Sequence, residues 1–272
     1  MIRRVLLAFQ FCTIVPVKVS GDVTEKDVAA SAAFFPLVGA FQGVLTAVAA
    51  FLLMKVLPPD VVAALALLCL ILTNGGFDLD GLADTFDALA VKSSGDVERD
   101  RAKRLSVMRD SATGAIGVIA LIMMLLLKFL LMHRLLADFS VFTAAAVFFL
   151  MTTLSKWINV PVMYHGASAR EEGLGKIFIE HAGLGSLGIS TGIVALLVLP
   201  VAALNLLGGS ALNGIVLSAC FCTGAYLLGL LAVKFLVRRF GGLTGDHFGA
   251  LTEVSELLFL LVAYIWLQRS TL

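Results

Sequence analysis

Long uncharged runs of apolar residues, separated by short polar segments, form the dominant pattern of the chain. A helix of about 20 residues crosses the apolar core of a bilayer, and each run approaches or exceeds that length. The pattern predicts about seven transmembrane helices, at residues 28–54, 61–77, 111–132, 139–160, 248–268 and twice within 182–233. The last of these stretches is too long for one helix, and its polar and glycine residues at 205–213 divide it in two.

The composition agrees with this pattern. The chain is 60% hydrophobic and 14% charged, with a mean hydropathy of +1.00, whereas soluble domains carry about a quarter charged residues. We therefore predict an all-α, polytopic integral membrane protein whose residues 1–272 form a single transmembrane catalytic domain. Residues 1–27 combine Arg3 and Arg4 with an apolar stretch but have no small-residue cleavage site, so we expect an interfacial segment rather than a signal peptide. The lipid bilayer is an expected partner, and nucleic acid is not.

The basic residues are distributed unevenly among the predicted loops. With the amino terminus on the cytoplasmic side, 16 of the 20 Lys and Arg residues fall on that side, as cytoplasmic loops usually have such an excess. The four on the opposite side are Lys55, Lys128, Arg134 and Arg269. The distribution predicts a cytoplasmic amino terminus and, with seven helices, an external carboxyl terminus.

Four aspartates follow the second apolar run within ten residues. They are Asp78, Asp80, Asp84 and Asp87. Gly75 and Gly76 precede them and predict a helix break, after which residues 78–110 form a cytoplasmic segment of mixed charge. If the acidic part is helical, the last three aspartates lie on one face, at i, i+4 and i+7. Like charges on one face repel unless a cation lies among them, so the pattern predicts a site for Mg²⁺, which prefers oxygen ligands.

Three further segments are predicted to reach the same side of the membrane. They offer groups suited to phosphate oxygens, because Arg binds them in bidentate fashion and glycine-rich backbone exposes its N–H groups. The expected substrate-binding residues are Arg109, Arg170, Lys176, Gly242, Thr244 and Gly245. The expected catalytic residues are Asp80, Asp84, Asp87 and Asp246, and the expected metal ligands are Asp80, Asp84, Asp87, Asp110, Glu253 and Glu256. Carboxylates, a cation and basic residues together indicate phosphoryl transfer.

A separate basic run lies between the acidic aspartates and the third apolar run. It contains Arg99, Arg101, Lys103 and Arg104. Basic residues beside a membrane are attracted to anionic lipid. We therefore interpret this run as a solvated, lipid-facing surface outside the catalytic site.

Three motifs carry the residues expected in the site. They are Gly75-Gly76-x-x-x-Asp80-Gly-Leu-Ala-Asp84-x-x-Asp87, Met108-Arg109-Asp110-Ser111-x-x-Gly114-Ala115-x-Gly117 and Gly242-Leu-Thr-Gly-Asp246-x-x-Gly249. In this combination the chain resembles the cobalamin synthase family, also called adenosylcobinamide-GDP ribazoletransferase, over nearly its whole length. Members of that family often carry a histidine at the position of Asp78, so we transfer no metal role to this residue.

The resemblance implies a reaction. Adenosylcobinamide phosphate passes from adenosylcobinamide-GDP to the 5′-hydroxyl of α-ribazole, or to α-ribazole 5′-phosphate, and GMP is released in an Mg²⁺-dependent step. Carboxylates would hold the metal against the pyrophosphate, and one of them would accept the proton of the attacking hydroxyl. The resemblance also implies a multi-pass protein of the bacterial inner membrane with its site on the cytoplasmic side, acting as a homo-oligomer or with other cobalamin-assembly enzymes.

Two other classes of protein remain open on the residues alone. A secondary transporter would use glycine-interrupted helices and acids to bind a cation near mid-membrane, but the acids here lie at the predicted cytoplasmic edge. A CDP-alcohol-type phosphotransferase would catalyse a related displacement, although Asp84 stands where the motif of those enzymes carries Arg. Turnover of the GDP-cobinamide, turnover of a CDP-alcohol, or solute flux without chemistry would separate the three classes.

Overall fold

The computed structural model describes residues 1–204, 206–207 and 211–270, without the side chains of residues 211–213. Within these residues the fold is helical, and one isolated bridge pairs Ser168 with Leu243. The α-helices, numbered in chain order, are α1 Ile2–Cys12, α2 Glu25–Ser31, α3 Phe35–Leu53, α4 Pro59–Asn74, α5 Phe77–Leu89, α6 Val97–Val107, α7 Ala115–Asp138, α8 Val141–Trp157, α9 Asn159–His165, α10 Leu174–His181, α11 Leu184–Ala203, α12 Ala211–Phe240 and α13 Gly245–Ser270. A short 3-10 helix, Ala32–Phe34, joins α2 to α3.

The all-helical membrane architecture predicted from the sequence is confirmed. Six helical stretches of the described chain are long and apolar enough to cross a membrane, namely α2 with α3, α7, α8 with α9, α11, most of α12, and α13. Helices α4 and α5 pass the same test as a pair bent by 87°, which brings the number to as many as seven. The dividing segment 205–213 lies largely outside the described residues, but the helices on either side of it are separate.

Helix α8 is the most buried of the spanning helices. Of the 18 residues in its most apolar stretch, 72% are buried, compared with 22% for α7. A side chain at Gly39 of α3 would collide with the Thr152 backbone, and one at Gly43 would collide with the Thr152 side chain. Small residues at such crossings let helix backbones approach closely inside a membrane. The core is therefore built around α8, while α7, α11 and α12 present exposed apolar side chains.

The prediction that Lys128 lies at the external end of its helix is wrong. Helix α7 continues to Asp138, six residues beyond its predicted end, so Lys128 falls inside the helix and is 1% exposed. Lys156, which we counted with the cytoplasmic loops, is also buried, at 4% exposure. Without these two lysines, each side of the membrane has one basic residue fewer. The excess of basic residues on the predicted cytoplasmic side is therefore retained.

The segment 78–110 contains two helices. Helix α5 begins directly after the glycine pair and packs against α13 and α7. Helix α6 packs against α5 and α12. At the amino terminus, α1 packs against α2 and α3 and buries Leu7 and Ala8. The acidic aspartates thus lie on a packed helix, α5.

Candidate active site

The acidic helix α5 starts at a sharp break in the chain. Gly75 and Gly76 have φ angles of 68° and 78°, a region that residues with a Cβ atom rarely adopt. The Asn74 side chain stabilises the break, because its Oδ1 accepts the Gly76 amide at 2.8 Å and its Nδ2 donates to Asp78 Oδ2 at 2.9 Å. The helix break predicted from the glycine pair is confirmed.

Helices α5 and α13 cross at two glycines. A Cβ atom on Gly81 would lie 2.5 Å from the carbonyl oxygen of Asp246, and one on Gly249 would lie 2.9 Å from Asp78 Cα. The absence of side chains at both positions lets the first turns of α13 lie directly against the acidic helix. The negative charge of Asp246 consequently acts on Asp84 across the crossing.

Two of the four aspartates of α5 are bound by protein groups. Asp78 Oδ2 lies 2.5 Å from Nζ of the buried Lys156. The Asp87 carboxylate accepts the backbone amides of Gly114 and Gly117, both at 2.7 Å, at the amino-terminal end of α7, where the helix dipole favours a negative charge. A side chain at either glycine would collide with this carboxylate. Each oxygen of Asp87 thus accepts one backbone amide, and its predicted metal role stays a prediction.

Asp80 and Asp84 differ from Asp78 and Asp87 in having no partner among the described residues. They lie one turn apart on α5, Asp80 exposed and Asp84 half-buried. Neither carboxylate forms a hydrogen bond or an ion pair with any residue that the structure describes. The charges of Asp80, Asp87 and Asp246 all act on Asp84, and only that of Arg170 opposes them. The two carboxylates are therefore the ones available to a cation or a substrate.

Arg170 connects Asp246 to the remaining segments of the site. Its Nη2 donates to Asp246 Oδ2 at 3.0 Å and lies 3.5 Å from the Met108 carbonyl oxygen. The Thr244 hydroxyl lies 3.3 Å from the same Asp246 oxygen. The predicted convergence of the acidic helix, the segment after α6, the Arg170 loop and the start of α13 is thus confirmed.

The Arg170 loop and the segment before α13 are tied by their backbones. The Leu243 amide donates to the Ala167 carbonyl at 2.7 Å, and the Ala169 amide donates to the Leu243 carbonyl at 2.9 Å. Gly242 is buried beneath this pair, and a Cβ atom there would lie 2.5 Å from the Ala169 nitrogen. The structure therefore gives Gly242, predicted to bind substrate, a packing contact that holds Arg170 and Asp246 together.

Four of the predicted substrate-binding residues line one cavity of about 220 Å³. They are Arg170, Lys176, Thr244 and Gly245. The buried Nε of Arg170 has no hydrogen-bond acceptor among the described residues, and Lys176 Nζ donates to the Glu171 carbonyl at 2.7 Å. Two cations and a helix amino terminus suit a phosphate group, and one acid, Glu172, also lines the cavity. We call this space the basic cavity.

A second cavity adjoins the basic cavity. It has a volume of about 190 Å³ and shares Leu174, Gly175 and Gly245 with its neighbour. Its lining is mainly aromatic, with five phenylalanines, at positions 11, 35, 77, 178 and 248. The polar residues are Asn74, Asp78, Lys156 and Asn159. Asn159 Nδ2 donates to the Thr252 hydroxyl at 3.0 Å, whereas its buried Oδ1 has no partner among the described residues. We call this space the aromatic cavity.

The two glutamates predicted as metal ligands are instead bound to a lysine. Lys128 Nζ lies 2.6 Å from Oε2 of Glu253 and 2.6 Å from Oε2 of Glu256, and Ser155 Oγ donates to the other Glu256 oxygen at 3.1 Å. All three charged side chains are at most 5% exposed. Unpaired buried charges are costly, so the lysine explains why two acids are tolerated inside α13.

Arg109 and Asp110 lie outside this network. Both are exposed, and Asp110 Oδ1 accepts the Ala112 amide at 3.1 Å within its own turn. The described residues contain no ion pair of Arg109. Their predicted roles in phosphate and metal binding therefore stay predictions.

Within the described chain, no group of three or more His, Cys, Asp or Glu side chains is arranged to hold a metal by itself. This finding is compatible with magnesium, which is usually bound by one or two carboxylates together with substrate phosphates and water. Asp80 and Asp84 supply two such carboxylates, and the charge of Arg170, which lines the basic cavity, acts on Asp84. The donor set fits Mg²⁺ on this basis.

Sequence reasoning missed three polar residues of the site and its surroundings. Lys156 and Asn159 line the aromatic cavity, and Lys128 neutralises the glutamates of α13. A usable signal was present for the lysines, since an ionisable residue within an apolar span usually has a partner or a function. Asn159 carries no comparable signal in one sequence.

The fold and the site define a multi-pass membrane protein that presents free carboxylates beside a basic, phosphate-sized cavity. Residues 4–264 match the model of a family described as cobalamin-5-phosphate synthase. The chain belongs to this family, and the resemblance inferred from the motifs is confirmed.

Curated relatives agree over nearly the full length. The chain is 34% identical over 261 residues to an adenosylcobinamide-GDP ribazoletransferase of Thermodesulfovibrio yellowstonii, covering 96% of this chain and 95% of the relative. It is 36% identical over 261 residues to the enzyme of that name from Geotalea daltonii, with 96% of each covered. It is 35% identical over 263 residues to that of Desulfitobacterium hafniense, again with 96% of each covered. No solved structure matches the chain.

Proposed function

We propose that this protein transfers adenosylcobinamide phosphate from adenosylcobinamide-GDP to a ribose hydroxyl of α-ribazole or α-ribazole 5′-phosphate, releasing GMP. The 5′-hydroxyl expected from the resemblance is free only in the first of these acceptors, so with the second the attacking hydroxyl is another one of the ribose. The proposal takes its substrates from the names of the relatives. The structural observation that carries it is the pair of unpartnered carboxylates, Asp80 and Asp84, together with the charge of Arg170, which acts on Asp84 and lines the basic cavity. Because the reacting group is a pyrophosphate, such a site would act mainly by positioning and by neutralising charge.

In this proposal the basic cavity binds the pyrophosphate. Arg170 donates to its oxygens through the Nε that has no protein acceptor, and Lys176 supplies a second positive charge. The acceptor oxygen forms a bond to the phosphorus that carries cobinamide, the bond from that phosphorus to the GMP oxygen breaks, and the hydroxyl proton passes to a carboxylate of the site. Asp246, already bound by Arg170 and Thr244, keeps the guanidinium aimed at the cavity.

We assign Mg²⁺ to Asp80 and Asp84. The assignment rests on their oxygens, which have no protein partners, and on the like charges that crowd Asp84. When bound, the ion would neutralise charge on the pyrophosphate and on the GMP leaving group. Asp87, Glu253 and Glu256 are left out of this ligand set because other groups of the protein bind them.

We assign the acceptor to the aromatic cavity. The base of α-ribazole is a flat aromatic ring, which the phenylalanine side chains suit by stacking or edge contacts. The unpaired Oδ1 of Asn159 is a hydrogen-bond acceptor for a ribose hydroxyl. Since the cavities share Gly245, an acceptor bound here would lie beside the phosphate and could present a ribose hydroxyl to it.

We also propose that the site faces the cytoplasm of a bacterial cell from the inner membrane. The excess of Lys and Arg on the side of the acidic helix supports this orientation. The bacterial sources of the relatives support the membrane. Cysteine labelling at Lys92, in the exposed segment between α5 and α6, tests the orientation: a membrane-impermeant maleimide should label Lys92→Cys only in inverted vesicles.

The experiment that tests the function uses the purified protein in lipid vesicles. Adenosylcobinamide-GDP and α-ribazole are supplied with and without Mg²⁺, and cobalamin and GMP are measured together. We expect equimolar products that require Mg²⁺. Turnover of a CDP-alcohol instead would redirect the assignment to a lipid-type phosphotransferase, and ion or solute flux without any product would indicate a transporter.

The acceptor site has its own test. Replacing Asn159 by Ala should raise the KM for α-ribazole about tenfold, the value of a hydrogen bond of ordinary strength, without changing the KM for the GDP-linked donor. Thr252→Val is the matched control, because it removes the other hydrogen bond of Asn159 and leaves Oδ1 in the cavity. Equal changes in both KM values would contradict the placement of the acceptor.

A further inference from the structure

A third cavity lies between α6 and the carboxyl-terminal end of α12, outside the candidate active site. Its volume is about 480 Å³. Four arginines line it, Arg101 and Arg104 from α6 and Arg238 and Arg239 from α12. The basic residues of α6 are predicted to form a solvated, lipid-facing surface, but two of them lie inward: Arg104 is 5% exposed, and Arg101 is half-buried. We call this space the arginine cavity.

Within the described chain, the four arginines of the arginine cavity outnumber the acids beside them, Asp100 and Glu98. Its one lining acid, Asp100, already accepts hydrogen bonds from the Ser93 hydroxyl at 2.6 Å and from the Ser94 amide at 2.8 Å. Arg101 pairs through Nη1 with the exposed Glu98 on the same helix. Arg238 and Arg239 have no ion pair within the described chain.

Two guanidinium donors in this cavity also lack acceptors. The Nε groups of Arg101 and Arg104 are buried, and neither has a hydrogen-bond partner among the described residues. Arg104 uses Nη1 to donate to the Arg239 carbonyl at 2.9 Å, which fixes its guanidinium in place. A buried donor without an acceptor is unfavourable, and arginine forks match the oxygens of a phosphate group. The cavity thus has the charge, the donors and the size for a phosphate ester.

The position of the arginine cavity at the end of α12 indicates which class of phosphate ester can reach it. Helix α12 has 30 residues, which at 1.5 Å per residue is longer than the apolar core of a bilayer. Its last turns therefore lie at the level of the lipid headgroups, where Phe235 is exposed and Arg239 lies over its ring at 5.8 Å. We propose that the arginine cavity binds the phosphate of an anionic phospholipid.

A lipid bound here also contacts the approach to the active site. Arg101 packs against Gly241, because a Cβ atom on that glycine would lie 3.5 Å from Arg101 Cδ. Gly241 begins the short segment that leads through Thr244 to Asp246. Arg104 holds the last turn of α12 through the Arg239 carbonyl. An occupied cavity therefore stabilises the segment that positions Asp246.

The test measures lipid retention rather than activity. The detergent-solubilised protein is mixed with phosphatidylglycerol or phosphatidylcholine, and bound lipid is counted by native mass spectrometry. We expect selective retention of phosphatidylglycerol, reduced by at least about tenfold in Arg101→Gln/Arg238→Gln, since two of the basic residues that attract an anionic lipid are removed. The matched control is Arg99→Gln/Lys103→Gln, which removes the same charge from exposed positions of α6 that do not line the cavity.

Three results would overturn the proposal. They are equal retention of the two lipids, an equal loss in the cavity and control variants, and displacement of the lipid by GDP or inorganic phosphate at concentrations below those of the lipid. The last result would assign the cavity to a soluble phosphate compound. Because Arg238 and Arg239 are both exposed, Arg238→Gln/Arg239→Gln provides a second pair that retains the packing of α6, and the same loss of phosphatidylglycerol is expected from it.

Discussion

Two groups of carboxylates lie in neighbouring parts of this protein, and one group has a cationic partner while the other has none among the described residues. Glu253 and Glu256 are buried on α13, and both bind Lys128. Asp80 and Asp84 lie on α5, which packs directly against α13, and neither has a partner among the described residues. The protein itself neutralises the first group, whereas the carboxylates of the second group are available to a ligand. Proximity of acids in the sequence does not distinguish the two cases, but the partners of each carboxylate do.

The same comparison divides the aspartates within α5. Asp78 is neutralised by Lys156, and Asp87 receives two backbone amides at the start of α7. Asp78 and Asp87 thereby anchor the acidic helix to α8 and α7. Asp80 and Asp84 are held between these anchors, facing the first turn of α13. A rigid helix of this kind presents free carboxylates in a fixed geometry, which is what charge neutralisation of a pyrophosphate requires.

The largest effect is expected from breaking the buried group. Lys128→Met leaves two glutamates without their cation and should lower the free energy of unfolding by about 3–5 kcal/mol. Thermal unfolding in detergent measures the change. The control is the triple variant Lys128→Met/Glu253→Gln/Glu256→Gln, which removes all three charges and should recover most of the loss. An unchanged melting temperature in the single variant would show that the ion pairs do not stabilise the fold.

Substitution of Asp80 or Asp84, the free carboxylates, is expected to change the free energy of unfolding little but the rate of turnover strongly. Asp80→Asn or Asp84→Asn should lower kcat by about 10²–10³-fold, as loss of one electrostatic contact in an active site does. Stability should be unchanged or slightly raised, because a repulsive charge is removed. Asp22→Asn, an exposed acid near the amino terminus, is the matched control for turnover. Full activity in both site variants would remove these aspartates from the reaction.

Asp87 should behave like the partnered group. Asp87→Ala removes the acceptor for two amides of α7 and should destabilise the protein by about 1–2 kcal/mol, the value of a helix cap. Asp87→Asn retains one acceptor oxygen and should lose less. The measurement compares the loss in free energy of unfolding in Asp87→Ala with that in Asp87→Asn. A variant with normal stability and no activity would return Asp87 to the catalytic set.

The smallest effect concerns pH. Hydrogen bonds from Ser93 and Ser94 lower the pKa of Asp100 from 3.8 to about 2. Its stabilising contribution is therefore present above pH 4 and is lost as the pH falls from about 4 to 2. Protection of the amides of residues 93–100, measured as exchange relative to the intrinsic rate at each pH, should decrease over that range in the native protein. In Asp100→Asn the protection should be low at every pH, and a pH-dependent loss of protection retained in this variant would contradict the assignment.

Much of the fold could be predicted because hydropathy reports directly on the number of spans. The apolar runs and the glycine pair at residues 75–76 each produced an element or a break that the structure contains. The burial of Lys128 in α7 could not be predicted, because a lysine interrupts the apolar pattern in the same way whether it lies at a surface or in the core. Its burial depends on Glu253 and Glu256, more than 120 residues away.

The location of the candidate site could be predicted from the sequence, but which of its carboxylates are bound by the protein and which are free could not. Helical periodicity correctly placed Asp80, Asp84 and Asp87 on α5. It could not separate Asp87 from the others, because the amides that bind Asp87 lie 27 and 30 residues further along the chain. Asn159 was missed for the same reason, since only the packing of α9 against α13 brings it to the aromatic cavity. Lys156 was missed although a lysine within an apolar span is itself a signal.

The central claim is that the free carboxylates, and not the partnered ones, hold the metal of the reaction. The most direct measurement is the Mg²⁺ concentration that gives half-maximal turnover in vesicles, compared among the wild type, Asp84→Asn and the triple variant Lys128→Met/Glu253→Gln/Glu256→Gln. We predict an increase of at least about tenfold in Asp84→Asn, as loss of one oxygen ligand should produce, and no change in the triple variant. A normal value in Asp84→Asn together with an increase in the triple variant would contradict the account.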